Sequence, residues 1–121
     1  MNNQALGNWG EDKAADFLIS NGYQILDRNA RTTYGEIDIV AKVDHTIIFV
    51  EVKTRTSNKF GHPEEAITKN KLTHMIDSAQ DYLQIHPEID SDLRIDVIAI
   101  RREKNGDKIE ISHFENVQSD E

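Results

Sequence analysis

Hydrophobic positions along the chain change period several times, and each change marks an element. Between Gln4 and Ser20 the residues Ala14, Ala15, Phe17 and Leu18 recur at helical spacing, and Asn21-Gly22 is a helix stop. Tyr23 to Arg28 has the composition of a short strand, whereas Arg31 to Gly35 is polar and ends in glycine, which predicts a loop. Glu36 to Val43 and Thr46 to Arg55 are rich in Ile and Val and are separated by Asp44-His45, which predicts an antiparallel hairpin. Ser57 to His62 has turn composition, and Pro63, Glu64 and Glu65 suit the first turn of a helix. Ile67, Leu72, Met75, Ile76, Ala79, Tyr82 and Leu83 then form an apolar helical stripe, with Thr68 placed to cap a second start. His86-Pro87 ends that helix. Leu93 to Arg101 is a further strand, Asn105-Gly106 a hairpin signal, and Lys108 to Phe114 a final strand. The expected order is α-β-β-β-α-β-β, a single α/β domain over residues 1–114 with a flexible acidic tail at 115–121.

Composition narrows the function classes. The 121 residues contain no cysteine, which excludes disulfides, thiolate metal sites and cysteine nucleophiles. No apolar run approaches the roughly 18 residues a membrane span requires, and the first ten residues lack a secretory pattern, so a cytoplasmic location is expected. The formal charge is −8, which argues against a general nucleic-acid coat. The charge is uneven, however: Arg28 to Lys71 holds eight basic and six acidic residues, a balance of +2, leaving −10 elsewhere. If carboxylates in the middle held a divalent cation, that segment would present positive potential to a phosphate chain.

The predicted hairpin concentrates the candidate chemistry. A symmetric loop at Asp44-His45 pairs residues whose numbers add to 89, placing Asp38 opposite Glu51 among Ile, Val and Phe. Opposed carboxylates in apolar surroundings need compensation, and Lys53 follows Glu51 on the same strand face. Oxygen ligands in this arrangement suit Mg²⁺ or Mn²⁺. Glu11 shares a helical face with Ala14, Ala15 and Leu18 and so points inward, either toward the same cation or simply to complement the helix N-terminal dipole. Such a cluster suits phosphodiester hydrolysis, with Asp38 and Glu51 holding the cation and Lys53 positioning water or stabilising negative charge. Arg55, Lys59, Lys69 and Lys71 are candidates for contacts to flanking phosphates.

Other chemistries lack support. The five histidines, His45, His62, His74, His86 and His113, show no zinc spacing and read as surface or packing residues. There is no phosphate-binding glycine loop and no nucleophile elbow. Trp9 and Tyr82 adjoin apolar stripes and read as core.

Gly7 to Leu18, Gly35-Glu36-Ile37-Asp38, Phe49-Val50-Glu51-Val52-Lys53-Thr54-Arg55, Phe60-Gly61, Lys71 and Arg94-Ile95-Asp96-Val97 together resemble the bacterial YraN family of uncharacterised proteins. The likeness runs over about residues 5 to 100. That family is similar to the PD-(D/E)XK superfamily and, within it, to archaeal Holliday junction resolvases. The resemblance implies a restriction-endonuclease-like fold, a three-layer arrangement with a mixed central sheet flanked by helices. It implies a Mg²⁺- or Mn²⁺-dependent nuclease acting on DNA, including branched or structured DNA; because a small nuclease must cut two strands, a homodimer is expected. Carried over by residue, it assigns metal binding to Glu11, Asp38, Glu51 and the main-chain carbonyl of Val52, and catalysis to Asp38, Glu51 and Lys53. Ile37 stands where the superfamily's name-giving proline would be. Two other classes are expected to compete: a nucleic-acid-binding accessory protein that does not cleave, and a protein-interaction module docking through the acidic face from Asp77 to Asp92.

Overall fold

The computed structural model describes residues 2–56, 68–103 and 108–118. Its elements are α1 (Asn3–Ser20), β1 (Gln24–Thr32), β2 (Gly35–Val43), β3 (Thr46–Arg55), α2 (Lys69–Ile85), β4 (Asp92–Arg102) and β5 (Ile109–Phe114). The five strands form one mixed sheet in the order β1-β2-β3-β4-β5. Only β3 and β4 are parallel, and α2 lies in the connection between them.

The sheet has a core on each face. Ile39, Ala41, Ile48, Val50, Ile98 and Ile100 pack with Ala14, Ala15 and Leu18 of α1. Ile37, Val40, Ile47, Phe49 and Ile95 pack with Leu72, Ala79 and Tyr82 of α2. A strand covered on both faces needs apolar residues at successive positions, which is why Ile47 to Val50 form an unbroken apolar run. The result is the three-layered α/β architecture expected from the order of elements.

Both helices have defined ends. The side chain of Asn2 accepts the Ala5 N–H at 2.7 Å, and that of Thr68 accepts the Lys71 N–H at 3.1 Å. Helix α1 stops where Gly22 takes φ 87° and the Tyr23 N–H returns to the Leu18 carbonyl. The proposed start at Pro63, the Ser57 to His62 turn, Lys59 and the Asn105-Gly106 hairpin signal lie outside the described residues.

Two boundaries differ from expectation. The first strand continues to Thr32, through residues whose polarity predicts a loop. It is an edge strand whose outer positions meet water, and its turn is latched to α2, with Thr32 Oγ1 donating to Ser78 Oγ at 3.1 Å and the Thr33 N–H donating to Asp81 Oδ2 at 2.9 Å. The expected loose end after Phe114 does not begin there either. Glu115 accepts from Arg94, Asn116 N–H donates to Asp96, Val117 N–H donates to the Ile95 carbonyl at 2.7 Å, and the Val117 side chain packs on the α2-side core.

Gly10 sets how closely α1 approaches the sheet. A methyl at this position would lie 1.9 Å from Thr54 Oγ1 and 3.0 Å from Thr54 Cβ. Gly10→Ala is therefore expected to lose about 1–3 kcal/mol in denaturant unfolding, despite alanine's better helix propensity. Wild-type stability in that variant would show that α1 is free to move off β3.

Candidate functional site

The β2–β3 register keeps the sum of 89 from Val43↔Thr46 to Ile39↔Val50, with Asp44 at φ 52° in the turn. The ladder ends one pair short of Asp38 and Glu51. Asp38 Oδ2 there accepts the Val52 N–H at 2.8 Å, so the side chain takes a backbone donor in place of a cross-strand partner. The cause lies in a local break that the sequence pattern conceals. Asn29 stands opposite Asp38, between the pairs Arg28↔Ile39 and Ala30↔Ile37, and adopts φ 54°. On either side of this point the strand faces exchange: Ile37 packs toward α2, whereas Ile39 packs toward α1. Asparagine is among the few residues that tolerate this backbone region, and such conformations collect at functional sites.

Glu51 lies on the α2 side of β3. One of its oxygens, Oε1, receives two ammonium groups, Lys71 Nζ from α2 at 2.9 Å and Lys53 Nζ at 3.3 Å. Lys71, a candidate phosphate contact from the sequence, is thus also tied into the acidic cluster. Burial and the neighbouring Lys71 lower the pKa of Lys53 against the opposing pull of Glu51. For Lys71 burial also works against the charge, but the hydrogen bond and attraction of Glu51 outweigh it and raise its pKa.

Asp38 is raised to about 7, first by burial and next by the negative charge of Glu51, with the Val52 N–H opposing and Glu11 adding. Glu11 comes from the other face, on α1. Its Oε1 is buried and has no hydrogen-bond partner among the described residues. Burial is the main cause that raises its pKa, with Arg28 acting in the other direction, and Arg28 is itself bound to Asp12 at 2.7 Å. Three carboxyl groups, one of them with an unpartnered oxygen, therefore face a shared space. Their hard oxygen donors and mutual repulsion fit a divalent cation of the Mg²⁺ or Mn²⁺ type.

Two clefts meet at this cluster, and Asp38 and Glu51 line both. The cleft on the α1 side, about 540 Å³, runs past Gly7 and Glu11 to Lys53 and Arg55. The other, about 440 Å³, passes between the β1–β2 turn and α2, with Tyr34, Asn70 and His74 on its walls. Val52, whose carbonyl the resemblance implies as a metal ligand, lines the first cleft. Arg55 is exposed at the end of β3, and Lys69 opens α2. Trp9 lies beside Arg102, 5.5 Å from the ring centre, and Tyr82 stacks among Phe49 and His86, so both aromatics are packing residues.

A second polar cluster was not expected. Asp96, fully buried on β4, accepts from Arg94 Nε and Nη2 at 2.9 Å each, from His113 Nε2 at 2.7 Å and from Asn116 N at 2.9 Å. Burial alone would raise its pKa, but the bonds from His113, Arg94 and Asn116 together hold it below the ordinary carboxylate value. His113, read from sequence as an isolated packing residue, also meets Phe17 and Tyr23 edge to face. Asp96, His113 and Glu115 each offer an atom within 4.8 Å of the others, enough for a metal triad. Both Asp96 oxygens are already engaged by the Arg94 cation, which makes the group a self-contained ionic network. Its sequence signals were a lone acid inside the apolar run from Ile95 to Ile100 and the Arg94-Ile95-Asp96-Val97 segment that shares in the family resemblance.

Residues 10–100 match the model of "Uncharacterised protein family UPF0102". A UPF0102 protein of Syntrophomonas wolfei is 46% identical over 107 residues, covering 88% of this chain and 93% of the relative. Another, from Caldicellulosiruptor saccharolyticus, is 44% identical over 116 residues, covering 96% and 98%. A third, from a Sulfurihydrogenibium species, is 40% identical over 119 residues, with 98% of each chain covered. Among the described residues no helix is long and apolar enough to cross a membrane.

Proposed function

The chain belongs to the UPF0102 family, the YraN family of the sequence resemblance, and from its acidic cluster we propose that it is a metal-dependent nuclease hydrolysing DNA phosphodiester bonds, with branched or otherwise structured DNA as the preferred substrate. The observation that carries this is the buried, unpartnered Glu11 Oε1 beside Asp38 and Glu51. An apolar fold has no use for three converging carboxylates, whereas a cation and a phosphate together neutralise them. The order α-β-β-β-α-β-β and the Asp38, Glu51, Lys53 constellation support membership of the PD-(D/E)XK superfamily.

Glu11, Asp38, Glu51 and the Val52 carbonyl would hold Mg²⁺ or Mn²⁺. Such an ion polarises a phosphate and acidifies water. Hydrolysis then adds hydroxide to phosphorus and a proton to the departing alkoxide. Lys53 holds its ammonium beside Glu51, where it orients the attacking water and offsets the charge gathered on the phosphoryl oxygens. Lys71 anchors Glu51 from α2 beside Asp38. Arg55, Lys59 and Lys69 supply phosphate contacts along the strand, which keeps affinity local in a chain of net charge −8. A twofold pair of such sites would serve both strands of a duplex.

The test is incubation with Mn²⁺ or Mg²⁺ against labelled single-stranded, duplex, flap and four-way-junction DNA, beside Asp38→Ala and Lys53→Ala preparations. Cleavage is expected from the wild type and a loss of at least about 100-fold from each variant. Equal cleavage by the variants would assign the activity to a contaminant. Absence of cleavage with metal-dependent binding retained would make the protein a DNA-binding accessory factor.

A further inference from the structure

Gly7 stands in the second turn of α1, where glycine is a poor helix residue. Two structural reasons commonly require glycine, and neither applies here. Its φ is not positive, so no special backbone conformation demands it. Nor is it squeezed, since among the described residues a methyl at Gly7 would meet no atom of another element within 4 Å. Gly10, one turn further on, is the opposite case, pressed directly on Thr54.

What Gly7 does border is the cleft of the acidic cluster. Asn3, Gly7 and Glu11 recur at four-residue intervals and line the same wall of α1. Lys53, Thr54 and Arg55 line the cleft as well. The next residue on the Gly7 stripe is Glu11, whose unpartnered buried oxygen belongs to the same cleft. Gly7 is therefore the one position on this wall of α1 without a side chain, between Asn3 and Glu11, in a cleft that Lys53 and Arg55 also line.

Resting on the nuclease reading, we propose that Gly7 is a specificity-determining residue: it leaves α1 bare so that the sugar-phosphate backbone of one DNA strand lies against the helix while its scissile phosphate sits at Asp38 and Glu51. The chemistry of the walls matches this occupant. Lys53 and Arg55 meet the phosphates on one side, and on the other the helix backbone allows van der Waals approach of a sugar, which a β-carbon would hold off. The strand leaves the cluster through the second cleft, past Tyr34, which is 55% exposed.

The full-length protein with Gly7→Ala, Asn8→Ala as an exposed control on the same turn, and the wild type would be compared by thermal melting. Fluorescence anisotropy on labelled single-stranded and four-way-junction DNA would follow, in Ca²⁺ to allow binding without turnover. Gly7→Ala is expected to melt roughly 2–5 °C higher through better helix propensity, yet to bind on the order of tenfold more weakly because the added methyl occupies the strand's path. Asn8→Ala should bind as the wild type does. Unchanged binding by Gly7→Ala, with wild-type binding and cleavage intact, would overturn the role of Gly7 and leave the nuclease reading standing. A lowered melting temperature would overturn it too, since the site would then be structurally filled. A wild type that neither binds nor cleaves any DNA of the panel would remove both.

Discussion

Asp38→Asn is expected to stabilise the cation-free protein at pH 8 by up to about 4 kcal/mol, on the order of 10 °C in Tm, and to abolish stabilisation by Mg²⁺. Asp38 in the folded chain has its pKa raised to about 7 from 3.8. Between those two values the native state keeps a proton that the unfolded chain has released, so stability falls as pH rises through this window. Above it the full cost of an ionised, buried carboxylate beside Glu51 is present, at about 1.4 kcal/mol for each pKa unit. Asparagine removes that cost, and its carbonyl oxygen can still accept the Val52 N–H. At pH 4, where Asp38 is protonated in the native state, variant and wild type should melt close together. Mg²⁺ at 100 times its dissociation constant would add about 2.7 kcal/mol to the wild type. In the variant that gain should vanish with the ligand's charge. Melting curves from pH 4 to 8, with and without Mg²⁺, check both halves, and a variant that keeps the wild-type pH dependence would show that Asp38 is not the group under strain.

The nearness of Asp38 and Glu51 could be read from sequence because a short symmetric turn at Asp44-His45 propagates its register along both strands as far as Ile39 and Val50, although the ladder stops before that pair. Helical spacing predicts that Glu11 points inward but leaves open whether it joins them or complements the helix dipole, and the family resemblance is needed to assign it to the cluster. The switch of faces at Asn29 and Asp38 could not be read the same way. Period-two reasoning assumes that a strand never changes face, and a polar Asn-Ala-Arg-Thr segment looks like a loop until its edge position and its latch to Ser78 and Asp81 are known. The contact of Lys71 with Glu51 was hidden for a related reason. From sequence a lysine near a helix start is a surface charge, and only the crossover from β3 through α2 brings it onto Glu51. The Asp96 network was hidden further still, because its members Tyr23, Arg94, His113 and Glu115 come from distant parts of the chain and none is unusual where it stands.

That network predicts the largest loss of stability in the chain. Asp96→Ala should cost about 3–5 kcal/mol at pH 7, since it leaves the Arg94 guanidinium, with only 22% of its side chain exposed, without its main counter-charge. The Asn116 N–H and His113 would lose their acceptor as well, freeing Val117 and the chain end from β4. Asp96→Asn separates charge from volume. It fills the same space, but its amide nitrogen must face a donor from Arg94, His113 or Asn116, so it should lose nearly as much. The pH dependence has the opposite sign to that of Asp38. Because the folded pKa of Asp96 is lowered, its contribution is complete above the unfolded carboxylate pKa and is lost as pH falls through the folded value. Urea unfolding at pH 7 and in acid, on wild type and both variants, measures this directly: the three proteins should converge as the wild type loses its ionised Asp96. If Asp96→Asn were as stable as wild type at pH 7, the carboxylate charge would not be what holds β4, β5 and the chain end together, and shape alone would account for the cluster.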